Sequence, residues 1–241
     1  MNARITSLNT GQNGDSAGHG VLPGATVLRL GQAQDTATTL ALPDLPRHRS
    51  ILAVDIENST SRANLAKARL RELMYEMVEE AMLTGGIDEG CRDPLVDRGD
   101  GVLALVHPVD QVSTALLVNP IIPTLNRLLI EHAERHPELR LRMRAVIHAG
   151  EVHYDRRGCF GEALDIAFRL LDSQRVKKTF RNTEASMILV VSEVIYQSVI
   201  RQGYLDIDDK EFKPVVQVRV AGQRHRGWIH VPEGADVGPR G

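Results

Sequence analysis

Apolar and polar positions along the chain switch between two periods, and the switches mark out the elements. Ser50-Ile-Leu-Ala-Val-Asp-Ile56 is a short apolar run rich in branched residues, which predicts a buried strand. The Ser59-Thr60-Ser61 cluster after it offers the hydroxyls of a helix N-cap. Leu65, Leu70, Leu73/Met74, Met77/Val78 and Ala81/Met82 recur at steps of three and four, giving one apolar helix face that Gly85-Gly86 ends. Asp93 to Arg98 reads as a second strand, meeting Val102-Leu-Ala-Leu-Val106 across Gly99-Asp100-Gly101; Asp-Gly between two such runs signals a hairpin. Pro120 and Pro123 punctuate a second helical region, whose later part runs from Thr124 to Glu134. Arg140 to Tyr154 alternates as a strand, Gly161 to Leu171 is helical, Met187 to Val191 is a buried strand, and Ser192 caps a helix to about Gln202. Two last strands, Val215–Ala221 and Gly227–Val231, flank a basic turn. The pattern predicts an α/β or α+β domain with a mainly antiparallel sheet under helices.

Both ends break the pattern. Residues 1–48 hold no aromatic side chain, and Asn9 to Gly24 is dominated by Gly, Asn, Ser and Thr. Such a segment buries too little apolar surface to offset about 1–2 kcal/mol of backbone entropy per residue. Residues 1–48 are therefore expected to be a flexible N-terminal arm, 49–232 the domain and 233–241 a tail. Ala25–Leu30 and Thr39–Leu42 are the parts of the arm suited to docking as short strands. Hydrophobic residues at 42% and charged residues at 25% are ordinary for a globular protein. Lys plus Arg number 29 against 31 for Asp plus Glu, a net charge of -2 that argues against a broad nucleic-acid or anionic-membrane surface. Aromatics at 4% leave no stacking pair on the strands for RNA. Cys91 and Cys159 make no disulfide framework. No apolar run nears the roughly 18–20 residues of a membrane span, and the start lacks a signal-peptide core. A cytoplasmic protein without membrane or nucleic-acid partners is expected.

Three segments carry candidate chemistry. Val54-Asp55-Ile56-Glu57-Asn58-Ser59-Thr60 sets an acid at a strand end before a capped helix, whose free N–H groups suit a phosphate chain. Asp97-Arg98-Gly99-Asp100-Gly101 sets another acid at a hairpin tip. If the two strands are neighbours, Asp55 and Asp100 converge, and two carboxylates beside a triphosphate are typical ligands of magnesium. In Phe160-Gly-Glu-Ala-Leu-Asp165-Ile-Ala-Phe-Arg169-Leu170, Asp165 and Arg169 share a helix face. Taken singly, each has a plainer reading as a turn former, a cap or a surface ion pair.

Together, and joined by Arg144-Ala-Val-Ile-His-Ala-Gly150-Glu151, these segments resemble the class III nucleotidyl cyclases over about residues 48 to 232. The resemblance implies a ferredoxin-like βαββαβ core acting as a head-to-tail homodimer. It further implies cyclisation of a nucleoside triphosphate to a 3′,5′-cyclic mononucleotide and pyrophosphate in intracellular signalling. Two magnesium or manganese ions would sit on Asp55 and Asp100, with Ile56, Glu57, Asn58, Ser59 and Thr60 holding phosphates. The partner subunit would supply the helix carrying Asp165 and Arg169, and Arg224 or Arg226 would do the work of a basic residue in the last hairpin. Purine-selecting positions fall at Val96 and Asp97, and at Gly158 and Cys159.

The chain departs from the family pattern in chemically pointed ways. Asp165 stands where an asparagine is expected, and an ionised carboxylate accepts hydrogen bonds but donates none, which suits an orienter of Arg169 better than a ribose donor. Neither purine-reading pair is present, so base choice is expected to be relaxed or directed to a pyrimidine. The family's last lysine aligns near Gln223. These departures keep open a second reading, a catalytically degenerate cyclase-fold dimer that binds a nucleotide or a partner. A zinc site on His148, Glu151 and His153 is disfavoured, because positions 148 and 153 point to opposite strand faces. Arg175, Lys177, Lys178 and Arg181 read as a solvated helix end, and Cys159, beside Arg156 and Arg157 without a base, as an ordinary loop residue.

Overall fold

The structure, a computed structural model, describes residues 45–232. The C-terminal tail and all but the last four residues of the expected arm lie outside the described residues. Strand β1 spans Arg47–Ile56 and starts two residues before the domain boundary read from the sequence. It is followed by α1 (Asn64–Thr84), β2 (Val96–Asp97), β3 (Gly101–Val106), α2 (Ile122–Arg135) and β4 (Met143–Asp155). In space the strands run β2-β3-β1-β4, each antiparallel to its neighbour, which is the ferredoxin-like βαββαβ unit. The chain continues through β5 (Gly158–Phe160), α3 (Glu162–Leu171), α4 (Gln174–Arg181), β6 (Met187–Ser192), α5 (Glu193–Ser198), β7 (Lys213–Val220) and β8 (Gln223–His230). These extend the sheet to β2-β3-β1-β4-β6-β8-β7, with β5 paired to β4. Among the described residues, only β4 and β6 pair in parallel.

Strand alternation sends neighbouring residues of β1 into two cores. Leu52, Val54 and Ile56 pack with Leu70, Met74, Leu125 and Leu129 of α1 and α2. Ile51 and Ala53 pack on the other face with Ala167, Leu170, Val176 and Phe180 of α3 and α4. Asp55 belongs by alternation to this second face, beyond the last apolar residue on it.

Local expectations fail where tertiary contacts compete. Ser59–Ser61 form their own short 3₁₀ turn, and α1 begins at Asn64 behind Ala63, which has no side chain able to cap. The Ser59 hydroxyl is diverted to Asp100. Asp93 to Arg98 gives only two residues of regular strand, because Asp93 turns into a side-chain cluster. Arg224 and Arg226, read as turn residues, lie within β8; the turn itself is Ala221-Gly222, both at positive φ. Residues 174–181 form a helix of their own, α4, which carries the basic cluster of Arg175, Lys177, Lys178 and Arg181. Ser192 does precede α5, but its hydroxyl meets His148 Nδ1 at 2.7 Å and makes no cap hydrogen bond.

Candidate active site

The end of β1 sets the geometry. Asp55 pairs in register with Gly101 of β3 on one side and Arg144 of β4 on the other. A Cβ at position 101 would lie 2.5 Å from the Val54 carbonyl oxygen and 3.2 Å from Asp55 Cβ, so glycine is required for the hairpin to close against β1. The Ile56 amide donates to the Asp100 carbonyl at 2.9 Å, which fixes the hairpin tip beside the strand end. Asp55 and Asp100 thereby line one cavity of about 520 Å³.

Arg144 holds Asp55 with two hydrogen bonds, Nε to Oδ1 at 2.9 Å and Nη2 to Oδ2 at 2.7 Å. Burial nevertheless raises the Asp55 pKa to about 6; Arg144 pulls it down, and repulsion from Asp100 adds to the rise. Desolvation thus outweighs the Arg144 ion pair at a carboxylate whose side chain is only 16% exposed. Asp100 accepts from the Ser59 hydroxyl.

Residues 56–60 form one wall. The Glu57 amide donates to the Arg142 carbonyl at 2.9 Å, and Asn58 adopts the left-handed conformation with φ 56°. Glu57 turns its carboxylate to Arg142 Nη1 at 2.8 Å. Arg142 also donates to the carbonyls of Phe180, Thr183 and Ala185 at 2.8, 2.9 and 2.9 Å, and its guanidinium lies 3.9 Å from the Phe180 ring centroid. One arginine therefore straps the 56–60 turn to the end of α4.

The facing wall carries Arg98, Arg144, Phe168, Asp172, Lys177 and Arg181. Arg98 lies over the Phe168 ring at 4.2 Å. Asp55, Glu57, Asp100 and Asp172 balance Arg98, Arg144, Lys177 and Arg181 in the lining, four acids to four bases. The lining therefore offers an entering anion no net positive charge. Two carboxylates with substrate oxygens are a hard-oxygen set that suits a divalent ion of the magnesium type. Among the described residues no cluster of three or more His, Cys, Asp or Glu offers an alternative, and that includes His148, Glu151 and His153.

The other sequence-predicted positions lie away from this cavity. Asp165 and Arg169 are exposed on α3, neither lines the cavity, and no ion pair joins them. Arg224 and Arg226 are exposed on β8, where Arg224 pairs directly with Arg219 of β7. Val96 is partly buried against the α3-side core. The Asp97 carboxylate already accepts from Arg71 Nη2 and the Gly99 amide, each at 2.6 Å. Gly158 and Cys159 sit in β5 opposite Asp155 and Tyr154. Burial pushes the Cys159 thiol up, away from a reactive thiolate. Sequence reasoning gave no role to Arg142, Arg144 or Asp172 and read Lys177 and Arg181 as solvent-facing. The four-residue spacing of the last two was the available signal.

No protein-family model matches the chain, and no curated protein matches it in sequence. Solved structures do match. An adenylate/guanylate cyclase/hydrolase from Silicibacter pomeroyi superposes with a TM-score of 0.55 at 22% identity, covering 78% of this chain and 98% of that one. The adenylyl cyclase CyaB from P. aeruginosa gives 0.56 at 16% identity over 80% and 98%. The fold is that of a class III nucleotidyl cyclase domain. A third structure with this cyclase fold, the guanylate cyclase domain of RhGC from Catenaria anguillulae in complex with GTP, gives 0.50 at 16% identity over 78% and 98%. Among the described residues of the cyclase fold, no helix is long and apolar enough to cross a membrane.

Proposed function

We propose that the protein is a nucleotidyl cyclase, converting a nucleoside triphosphate to a 3′,5′-cyclic mononucleotide and pyrophosphate at a site completed by a second copy of the chain. The observation that carries this reading is Asp55. It is a largely buried carboxylate, its pKa raised to about 6, that shares a cavity with Asp100 and serves no apolar core. Magnesium or manganese ions held by Asp55 and Asp100 would supply Lewis-acid stabilisation of charge on the phosphoryl oxygens. The turn from Asn58 to Thr60 holds the phosphate chain on its N–H groups; the Ile56 and Glu57 amides are already taken by the Asp100 and Arg142 carbonyls, and the Glu57 side chain serves as the strut to Arg142. Arg169, exposed on α3, acts in the partner's site on charge developing at the transferred phosphoryl group. Asp165 beside it, and Arg224 or Arg226 on β8, are the other residues assigned to that composite site. The Catenaria protein's complex with GTP supports a nucleotide as ligand of this cavity.

A second reading rests on a specific contact. Arg144 takes both oxygens of Asp55, as a built-in counter-ion would in a dimer that binds nucleotide without turnover. Incubation with each of the four ribonucleoside triphosphates, with magnesium and with manganese, separates the two readings. Cyclic product and pyrophosphate that vanish in Asp55→Ala support the cyclase. Nucleotide binding without product supports the degenerate dimer.

A further inference from the structure

We propose that Asp172, Lys177 and Arg181, at the corner between α3 and α4, form a phosphate subsite in which the Asp172 carboxylate holds the place of a phosphoryl group. The proposal rests on the nucleotide reading above and adds the part of the substrate that this chain holds by itself.

The corner is rigid. Val176 and Phe180 are fully buried and anchor α4, the Ser173 hydroxyl accepts from the Val176 amide at 3.3 Å, and Arg142 ties down the Phe180 and Thr183 carbonyls. Lys177 and Arg181 are one helical turn apart and both line the cavity that holds Asp55 and Asp100. Lys177 Nζ lies 2.6 Å from Asp172 Oδ1. Arg144 Nη1 is 3.9 Å from the same oxygen, too far for a hydrogen bond, and it is buried with no other partner among the described residues. Arg181 has no acidic partner among the described residues.

One carboxylate thus stands among cations and satisfies only Lys177. A carboxylate has two oxygens in a plane, whereas a terminal phosphoryl group presents three, enough to reach Arg144 Nη1, Lys177 and Arg181 together. Asp172 has a side chain 67% exposed, so leaving the cavity for water costs it little. The recognised chemistry is a phosphoanion, drawn either from the tail of a triphosphate or from released pyrophosphate.

An internal competitor and its cations must respond to mutation with opposite signs. Isothermal titration of the full chain with pyrophosphate, tripolyphosphate and orthophosphate, each with and without manganese, reads this directly. Lys177→Met with Arg181→Met is expected to weaken pyrophosphate and tripolyphosphate about tenfold or more. Asp172→Asn is expected to tighten both several-fold, and Asp172→Glu to leave affinity within about twofold of wild type. Arg175→Ala with Lys178→Ala, elsewhere on α4, serves as the control for general charge, and melting curves confirm that each variant is folded. Unchanged affinity in the folded double variant, weaker binding in Asp172→Asn, or no pyrophosphate binding by the wild type overturns the subsite. Triphosphate turnover by the wild type then still stands as evidence for the cyclase, whereas pyrophosphate binding without any nucleotide binding would overturn the cyclase and keep the subsite.

Discussion

Strand β1 has an ionic cluster near each end of one face, and the two are built differently. Near its start, Arg49 meets Asp93 at 3.3 Å; Asp93 also accepts from the Tyr154 hydroxyl at 2.5 Å and pairs with His107 Nε2 at 2.9 Å. Six residues on, roughly 20 Å along the strand, Asp55 has Arg144 as its one side-chain partner among the described residues. Burial raises both carboxyl groups. At Asp93 the hydrogen bonds from Tyr154, His107 and Arg49 overcome it and hold the pKa below the usual carboxylate range. At Asp55 burial wins and Asp100 adds repulsion. A carboxylate ringed by donors is a finished structural joint. One left partly uncompensated beside a second acid has capacity for an incoming cation.

The sharpest way to break this contrast is to exchange the losses. Asp55→Ala and Asp100→Ala are each expected to lower turnover by about a thousandfold or more while the far-ultraviolet circular dichroism stays native. Asp93→Ala is expected to do the reverse. It leaves Arg49 and Tyr154 without their acceptor, costing about 2–3 kcal/mol and lowering the melting temperature by roughly 5–10 °C, with turnover per folded molecule retained. A dead but folded Asp93→Ala protein would place chemistry at the wrong end of β1.

Complementation is the next largest effect. Arg169 stands outside the Asp55 cavity of its own chain, so Asp55→Ala mixed with Arg169→Ala is expected to recover about a quarter of wild-type activity through one intact composite site per mixed dimer. No recovery after confirmed subunit exchange would put the site within one chain.

Titration gives a smaller but signed effect in metal-free chain. The Asp55 pKa, about 6 when folded against 3.8 as a free side chain, means the native state binds that proton more tightly. Its contribution favours folding at low pH and is lost as pH rises through 6. Burial and repulsion from His225 and His48 depress His148 to about 4 from 6.5, so its contribution is full above pH 6.5 and is lost as pH falls through 4. The two slopes oppose each other between about pH 4 and 6. Asp55→Asn is expected to lose stability on acidification more steeply than wild type, and His148→Gln less steeply, in urea melts across that window. The smallest effect concerns the base: with Asp97 occupied by Arg71 and Gly99, the four triphosphates in competition are expected to react within about tenfold of one another. Near-exclusive use of one would mean that a residue other than Val96, Asp97, Gly158 or Cys159 reads the base.

Much of this was legible in the residues because it is local. The apolar run through Val54, the Asp-Gly hairpin and the three- and four-residue steps of α1 each follow from backbone geometry within a few positions. Gly101 could be read as a turn residue, but its closer constraint, the Val54 carbonyl, appears only once β3 lies against β1. The cap assigned to Ser59 failed for the same kind of reason, since its hydroxyl had a better partner in Asp100 than in the helix. Arg181 is solvated as read and Lys177 partly so, but both also line the cavity, because Val176 and Phe180, interleaved with them, turn the polar face of α4 toward it.

The sequence by itself determined the order of the main strands and helices, without β5 and α4, and the placing of Asp55 and Asp100 at a strand end and a hairpin tip, since periodicity and turn chemistry act over short separations. The tertiary structure alone decided which charges meet. The β1–β4 register put Arg144 on Asp55, Arg142 strapped Glu57 to the end of α4, and the α3–α4 corner brought Asp172 and Lys177 to Arg144. These contacts join residues far apart in the chain, and their energies depend on distance and burial, which no local pattern encodes.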